Sequence, residues 1–245
     1  MSGTGVYMLL IKNIGTIATP LGDTVRCGAE QRKIACIKNA AILIDNDGRI
    51  LSVTGDGKLP EYSAYTDIYD AKGKLVTPGL VDAHTHLVFG GWRNHEVPLK
   101  IEGASYLDIL NAGGGILNTL THTREASEDE LYERSKCFLS EMMDFGVTTV
   151  EIKSGYGLNL ETELKQLRVI KRLGENTPTD VVSTFLGAHA IPGEFAGNAD
   201  GYINYLIESV LPVVAGEKLA DFCDVFLESS VFNVEQSRRL LLAAQ

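Results

Sequence analysis

The sequence predicts an α/β protein in two parts: a small β-rich segment, residues 1–72, then four strand-helix units of a (β/α) fold, residues 73–245. Three observations predict it. Short runs of Ile, Val and Leu punctuated by turn residues fill the first part, with no sustained helical period. From residue 75 onward, apolar strands alternate with helical segments, the pattern of a parallel sheet covered by helices. The polar residues of these later strands gather at the C-terminal ends, where open α/β sheets and (β/α) barrels both place their sites.

The elements follow in order. VYMLLI (6–11), KIACIKNAAILID (33–45) and GRILSVTG (48–55) are strands, with a turn at Asn46-Asp47-Gly48 between the second and third. TDIYDAKGKLVTPG (66–79) reads as a further hairpin turning at Gly73. LVTPGLVDAH (75–84) is a buried-type strand that opens the second part, and loops and helices follow to about Gly146. Within them, Ser127 and Glu130 of EASEDELYE have the spacing of a capping box that starts a surface helix. VTTVEIKSGYG (147–157) is the next strand, followed by the helix ETELKQLRVIKRL with Leu164, Leu167, Ile170 and Leu173 on one face. DVVSTFLGAHA (180–190) and FCDVFLESSVF (222–232) are the last two strands. The helices DGYINYLIESVLPVVA and NVEQSRRLLLAAQ follow them in turn. A complete barrel has eight such units in about 250 residues, so this span makes half of one.

Bulk composition excludes several classes. The 245 residues carry a formal charge of −10, which argues against nucleic acid, whose phosphates need clustered Lys and Arg. An acidic ligand would need a local cation instead. No apolar run approaches the ~20 residues of a membrane span, and no basic-then-apolar leader opens the chain; the expectation is a cytoplasmic protein. Cys27, Cys36, Cys137 and Cys223 form no C-x-x-C pair, which suggests a reducing compartment and no thiolate metal site. No G-x-G-x-x-G or G-K-[ST] loop supports a nucleotide fold.

His84 and His86 close the apolar run LVDAHTH. Residues i and i+2 of a strand face one side roughly 6.6 Å apart, so the two imidazoles can converge on one ion. Thr85 then points away, and Asp82 shares the histidine face, where a carboxylate can orient an imidazole. A hydrogen-bonded histidine pair at a strand end has the same spacing, so spacing alone leaves both readings open.

The flanks add to this. PGLVDAHTH resembles the motif that opens the barrel of the amidohydrolase superfamily. HTHLVFGGWRNHE, AGGGI, VEIKSGYGLNLETELKQLRVIKRL and TFLGAHAIP are together similar to the imidazolonepropionase family, in the right order. The resemblance implies a (β/α) barrel of the metal-dependent hydrolase type, with residues 1–72 as the N-terminal part of a small β-sandwich domain. It implies one divalent metal ion, Zn or Fe, with His84 and His86 as ligands; imidazole suits both metals. Arg93, in the Gly-rich loop, matches a substrate-binding arginine, and a guanidinium fork suits a propionate carboxylate. Tyr156 of KSGYG and His189 of TFLGAH match further substrate contacts. Lys153 is read as structural, and His95 and His122 as solvated or locally bonded.

The implied reaction is metal-assisted hydrolysis of a cyclic amide: 4-imidazolone-5-propanoate, a small-molecule substrate, opens to N-formimino-L-glutamate in histidine degradation. The family also uses a third metal-binding histidine, a catalytic glutamate and a metal-binding aspartate, all on strands past the fourth. The chain reaches Gln245 before any of them, so no catalytic residue is assigned. Catalytic zinc needs three protein ligands, and the expectation is little or no activity from these 245 residues alone. An unpaired parallel edge and uncovered helix faces point to aggregation or to a homodimer. Two other readings stand beside this one. Another amidohydrolase, a cyclic amidase or deaminase, would not be expected to combine Arg93 with KSGYG. A non-catalytic binding or assembly protein derived from the enzyme would fold stably without stoichiometric metal.

Overall fold

The structure, a computed structural model, describes residues 8–22, 24–64, 66–105, 108–109, 114–228 and 231–245, with Leu117 as backbone only. The chain divides into two compact units, one ending at Pro78 and the other running from Gly79 to Gln245.

In the first unit, β1 (Met8–Pro20), β2 (Ile34–Ile44), β3 (Ile50–Thr54) and β4 (Thr66–Asp70) form a sheet in the order β3-β2-β1-β4, with β5 (Leu75–Val76) also pairing β1. Residues 6 and 7 of the first expected strand lie outside the described residues. The turn expected at Asn46-Asp47-Gly48 is present. Asp45 Oδ1 accepts the Asp47 and Arg49 amides at 2.9 and 2.8 Å, and Gly48 takes φ +76°. Alternation along β2 buries Ala40 and Ile42 against Ile14, Ile17 and Ala71, and Ala41 and Leu43 against Leu10.

The hairpin expected at Gly73 does not form. β4 and β5 both run parallel to β1 instead, one on each side of its bulge between Ile11 and Ile14. The bulge puts Asn13 at φ +53°, and the partner strand jogs with it through Lys72 (φ +51°) and Gly73 (φ +73°). Gly73 donates its amide to the Asn13 carbonyl at 2.7 Å. A long bulged strand thus holds a broken partner that a turn-residue reading takes for a hairpin. LVTPGLVDAH likewise divides: Pro78 has no amide to donate, and the run splits between β5 in one sheet and β6 (Leu80–Thr85) in the other.

The second unit is a parallel sheet in the order β6-β7-β8-β9, with β7 at Val147–Lys153, β8 at Asp180–Ala188 and β9 at Phe222–Val225. Ser229 and Ser230 of the last expected strand lie outside the described residues, and β9 ends at Val225. The helices are α1 (Glu96–Ile101), α2 (Gly115–Glu125), α3 (Glu128–Asp144), α4 (Leu160–Asn176), α5 (Ala199–Tyr205), α6 (Leu211–Gly216) and α7 (Val234–Ala243). A π turn, Leu206–Val210, joins α5 to α6, so the one helix expected there is interrupted. Ser127 and Glu130 cap α3 reciprocally, as their spacing predicts, and Asn233 and Gln236 do the same for α7.

The core of this unit lies on one face of the sheet. Val150 and Ile152 of β7 and Phe185 of β8 pack against Leu131 and Leu139 of α3 and the Leu164, Leu167, Ile170 and Leu173 stripe of α4. The alternate residues of β7 are Glu151 and Lys153, so period 2 places charge on the opposite face. β6 is an edge strand with Leu80 and Val81 exposed, not the buried strand its apolar run suggests. No described helix is long and apolar enough to cross a membrane.

Candidate active site

Each expected site residue stands at the C-terminal end of a strand of the second unit, or in the loop that follows. His84 is in β6 and His86 lies just past it, with ring centroids 5.6 Å apart and nearly edge-to-face. His86 Nδ1 is buried without a hydrogen-bond partner. Burial pulls the His86 imidazole down to about 3, helped by the neighbouring His189 and His84, so the ring is neutral. A neutral imidazole with an unclaimed buried nitrogen, beside a second imidazole, is what a metal ligand requires. Two ligands fit. Among the described residues, no cluster of three or more His, Cys, Asp or Glu is placed to hold an ion.

Tyr156 follows β7 and His189 follows β8. The Tyr156 ring lies 5.1 Å from that of His86 and 5.3 Å from that of His189. His189 stacks on His86 at 4.6 Å with 11° between the planes. His189 Nδ1 is 3.0 Å from the Gly155 carbonyl. A carbonyl only accepts, so Nδ1 carries the proton and Nε2 of the neutral ring is an acceptor.

Arg93 joins them. A cavity of about 370 Å³ is lined by His86, Phe89, Trp92, Arg93 and Tyr156, and an adjoining one of about 240 Å³ by Arg93, Tyr156, His189 and Phe226. The Arg93 fork grips Glu96 through Nε and Nη2, both at 2.8 Å. Glu96 is buried, accepts the Gly115 amide at 2.6 Å, and is held down to about 2, chiefly by Arg93. A side chain at Gly114 would come within 2.9 Å of Glu96 Oε1. That contact accounts for one glycine of the AGGGI motif; Ala112 and Gly113 of that motif lie outside the described residues.

Asp82 does not orient an imidazole. Its carboxylate faces the His84 backbone amide at 3.4 Å, where the pairing of β6 with β7 shifts register between Asp82 and Thr85. Lys153 Nζ lies 2.6 Å from Glu151 and 3.1 Å from Asp224. His122 bonds locally to the Asn118 carbonyl, and His95 is exposed at the start of α1. Sequence reasoning missed Glu96, Trp92, Glu163 and Gln166. The last two carried a signal: they fall on the apolar stripe of α4, four residues before Leu167 and Ile170, where a polar side chain must have a buried partner.

This arrangement on a parallel sheet belongs to a known class of fold. A mutant of the atrazine chlorohydrolase TrzN from Arthrobacter aurescens TC1, complexed with zinc and atraton, aligns over 82% of this chain and 43% of its own, with TM-score 0.57 and 18% identity. Guanine deaminase of E. coli aligns over 81% of this chain and 43% of its own, at 0.52 and 16%. The chain has the α/β fold of these amidohydrolase-type proteins. No protein-family model matches it. Its sequence is more specific: the imidazolonepropionase of Clostridium tetani is 50% identical over 239 residues, and that of Bacillus velezensis 48% over 235. The chain is a homologue of the imidazolonepropionases, aligned over 97% and 96% of its own length and spanning 57% and 55% of theirs.

Proposed function

We propose that this chain supplies the substrate cavity and two metal-binding imidazoles of an imidazolonepropionase, which hydrolyses 4-imidazolone-5-propanoate to N-formimino-L-glutamate in histidine degradation in the cytoplasm. The observation that carries the reading is the convergence of His86, Arg93, Tyr156 and His189 on adjoining cavities, within a sequence half identical to proteins of that name. Arg93 receives the propionate, its guanidinium oriented from behind by Glu96. Tyr156 packs its phenol on the imidazolone ring, and His189 accepts a ring N–H at Nε2. His84 and His86 hold one divalent ion, zinc or iron, which when bound polarises a carbonyl and activates water. The zinc in the TrzN structure supports a metal in this fold.

In this reading, residues 73–245 are the first four units of a (β/α)8 barrel and residues 1–72 a part of a small β-sandwich domain. Among the described residues no group of three or more His, Cys, Asp or Glu is placed to hold the ion, so this chain assayed alone is expected to turn over little or no substrate. Exposed Leu80, Val81, Phe222 and Leu242 mark the surface for further barrel units or for a second copy in a homodimer. The test is formation of N-formimino-L-glutamate, followed by mass spectrometry, with zinc or iron added. The 245-residue chain is assayed alone and then mixed with the remaining part of the C. tetani relative. Turnover only in the mixture supports the reading. Turnover by the chain alone contradicts the two-ligand count, and a mixture that associates yet stays inactive contradicts the assigned reaction.

A further inference from the structure

The backbone amides of the loop carrying Tyr156 are held by side chains of α4. Glu163 Oε1 accepts the Gly157 and Leu158 amides at 2.9 and 2.8 Å, and Oε2 accepts the Gly155 amide at 3.2 Å. The carboxylate is fully buried, and burial raises its proton affinity against the pull of those amides. Arg124 Nε donates to the Gly157 carbonyl at 2.8 Å, and His189 takes the Gly155 carbonyl. The Tyr156 amide goes elsewhere. It donates to Gln166 Oε1 at 3.1 Å, and Gln166 Nε2 donates to the Val88 carbonyl at 2.7 Å. Val88 lies two residues past His86. Gln166 is 0% exposed.

We infer that Gln166 is a positioning residue that sets Tyr156 against His86, by tying the Tyr156 amide to the backbone that follows the histidine pair. Its bearing on ligand binding rests on the proposed reading of Tyr156. A primary amide is the side chain that can accept from one backbone group and donate to another along one rigid plane. An acidic side chain there would leave the Val88 carbonyl without its donor, and a lysine would leave the Tyr156 amide without its acceptor. Because Glu163 keeps the three neighbouring amides, losing the Gln166 bridge frees the placement of Tyr156 without releasing the whole loop.

The test uses the full chain and the variants Gln166→Met, Tyr156→Ala and the double variant. Amide exchange is read by NMR, and binding of 3-(imidazol-4-yl)propionate is read by fluorescence of Trp92, the single tryptophan, which lines the cavity. In Gln166→Met the Tyr156 amide should exchange about tenfold faster or more, with α3 amides unchanged, because a single hydrogen bond is lost. Probe affinity should fall about tenfold. That fall should vanish in the Tyr156→Ala background, because the effect runs through Tyr156.

Unchanged exchange at Tyr156, or an equal fall in both backgrounds, overturns the inference. If Gln166→Met does not fold, the wild-type rate decides: a Tyr156 amide exchanging as fast as an unstructured one overturns it, and strong protection supports it. Absence of probe binding by a wild type whose Tyr156 amide is protected, and released by Gln166→Met, leaves the bridge standing and removes the ligand reading of the site.

Discussion

At the scale of single residues, the proposed roles of His86 and Arg93 make different predictions. His86 is a neutral imidazole with an unclaimed buried nitrogen, so His86→Ala should lower zinc uptake by about 100-fold or more, second only in interest to loss of His84. His122→Ala, whose ring is spent on Asn118, should change nothing; equilibrium dialysis against zinc separates the two, since only His86 offers an unclaimed buried nitrogen. Arg93 is held by Glu96, whose carboxylate is pulled from its usual 4.5 down to about 2. A folded-state value below the unfolded one gives stability that is present above the unfolded value and lost as pH falls. Relative to Glu96→Gln, the native chain should therefore gain Tm at pH 6 and lose that advantage progressively between about pH 4.5 and 2. A Tm difference that is constant across that range would remove Arg93 as the cause. Spacing showed only that the rings of His84 and His86 could meet, and the family resemblance supplied the metal reading; Glu96 had neither signal, since nothing in RNHE tells a buried acid from a solvated one.

At the scale of elements, local signals were read well where they are local. The α3 capping box follows from Ser127 and Glu130 alone, because both partners lie in one turn. Ser127→Ala should cost about 1 kcal/mol in urea unfolding, and a cost near zero would mean the cap adds nothing there. The apolar stripe of α4 was equally legible from its spacing. The β4–β5 segment was not, because its partner is decided by a bulge more than fifty residues away, at Asn13, and a turn residue such as Gly73 serves a jog as well as a hairpin. The loop after β7 was legible only in part. KSGYG announced Tyr156, but the side chains that hold it, Glu163 and Gln166, sit in the following helix and show only as polar residues on an apolar face. Gly90 is a further positional constraint on the site, since a Cβ there would stand 2.3 Å from the His122 carbonyl. Gly90→Ala should destabilise the chain by about 1–3 kcal/mol.

At the scale of the whole molecule, the chain has two units: a β sheet with small cores on both faces, and a parallel sheet whose helix-covered face is apolar and whose other face carries Glu151, Lys153 and Asp224. The parallel, helix-covered class of the second sheet followed from alternation of strand and helix, which left its strand order open. Which cavity the strand ends form did not follow, because it depends on the loops after β6, β7 and β8 meeting around His86. Under the proposed function, this cavity selects a five-membered ring bearing a carboxylate chain, with Arg93 as the selecting group. The most direct measurement is the affinity of 3-(imidazol-4-yl)propionate against 4-ethylimidazole, for the native chain and for Arg93→Met, by titration of Trp92 fluorescence. The native chain should prefer the carboxylate by about 10- to 100-fold, the worth of a charge-assisted hydrogen bond, and Arg93→Met should remove the preference while keeping the ring. Equal binding of the two compounds by the native chain, or a preference that survives in Arg93→Met, would contradict selection by Arg93.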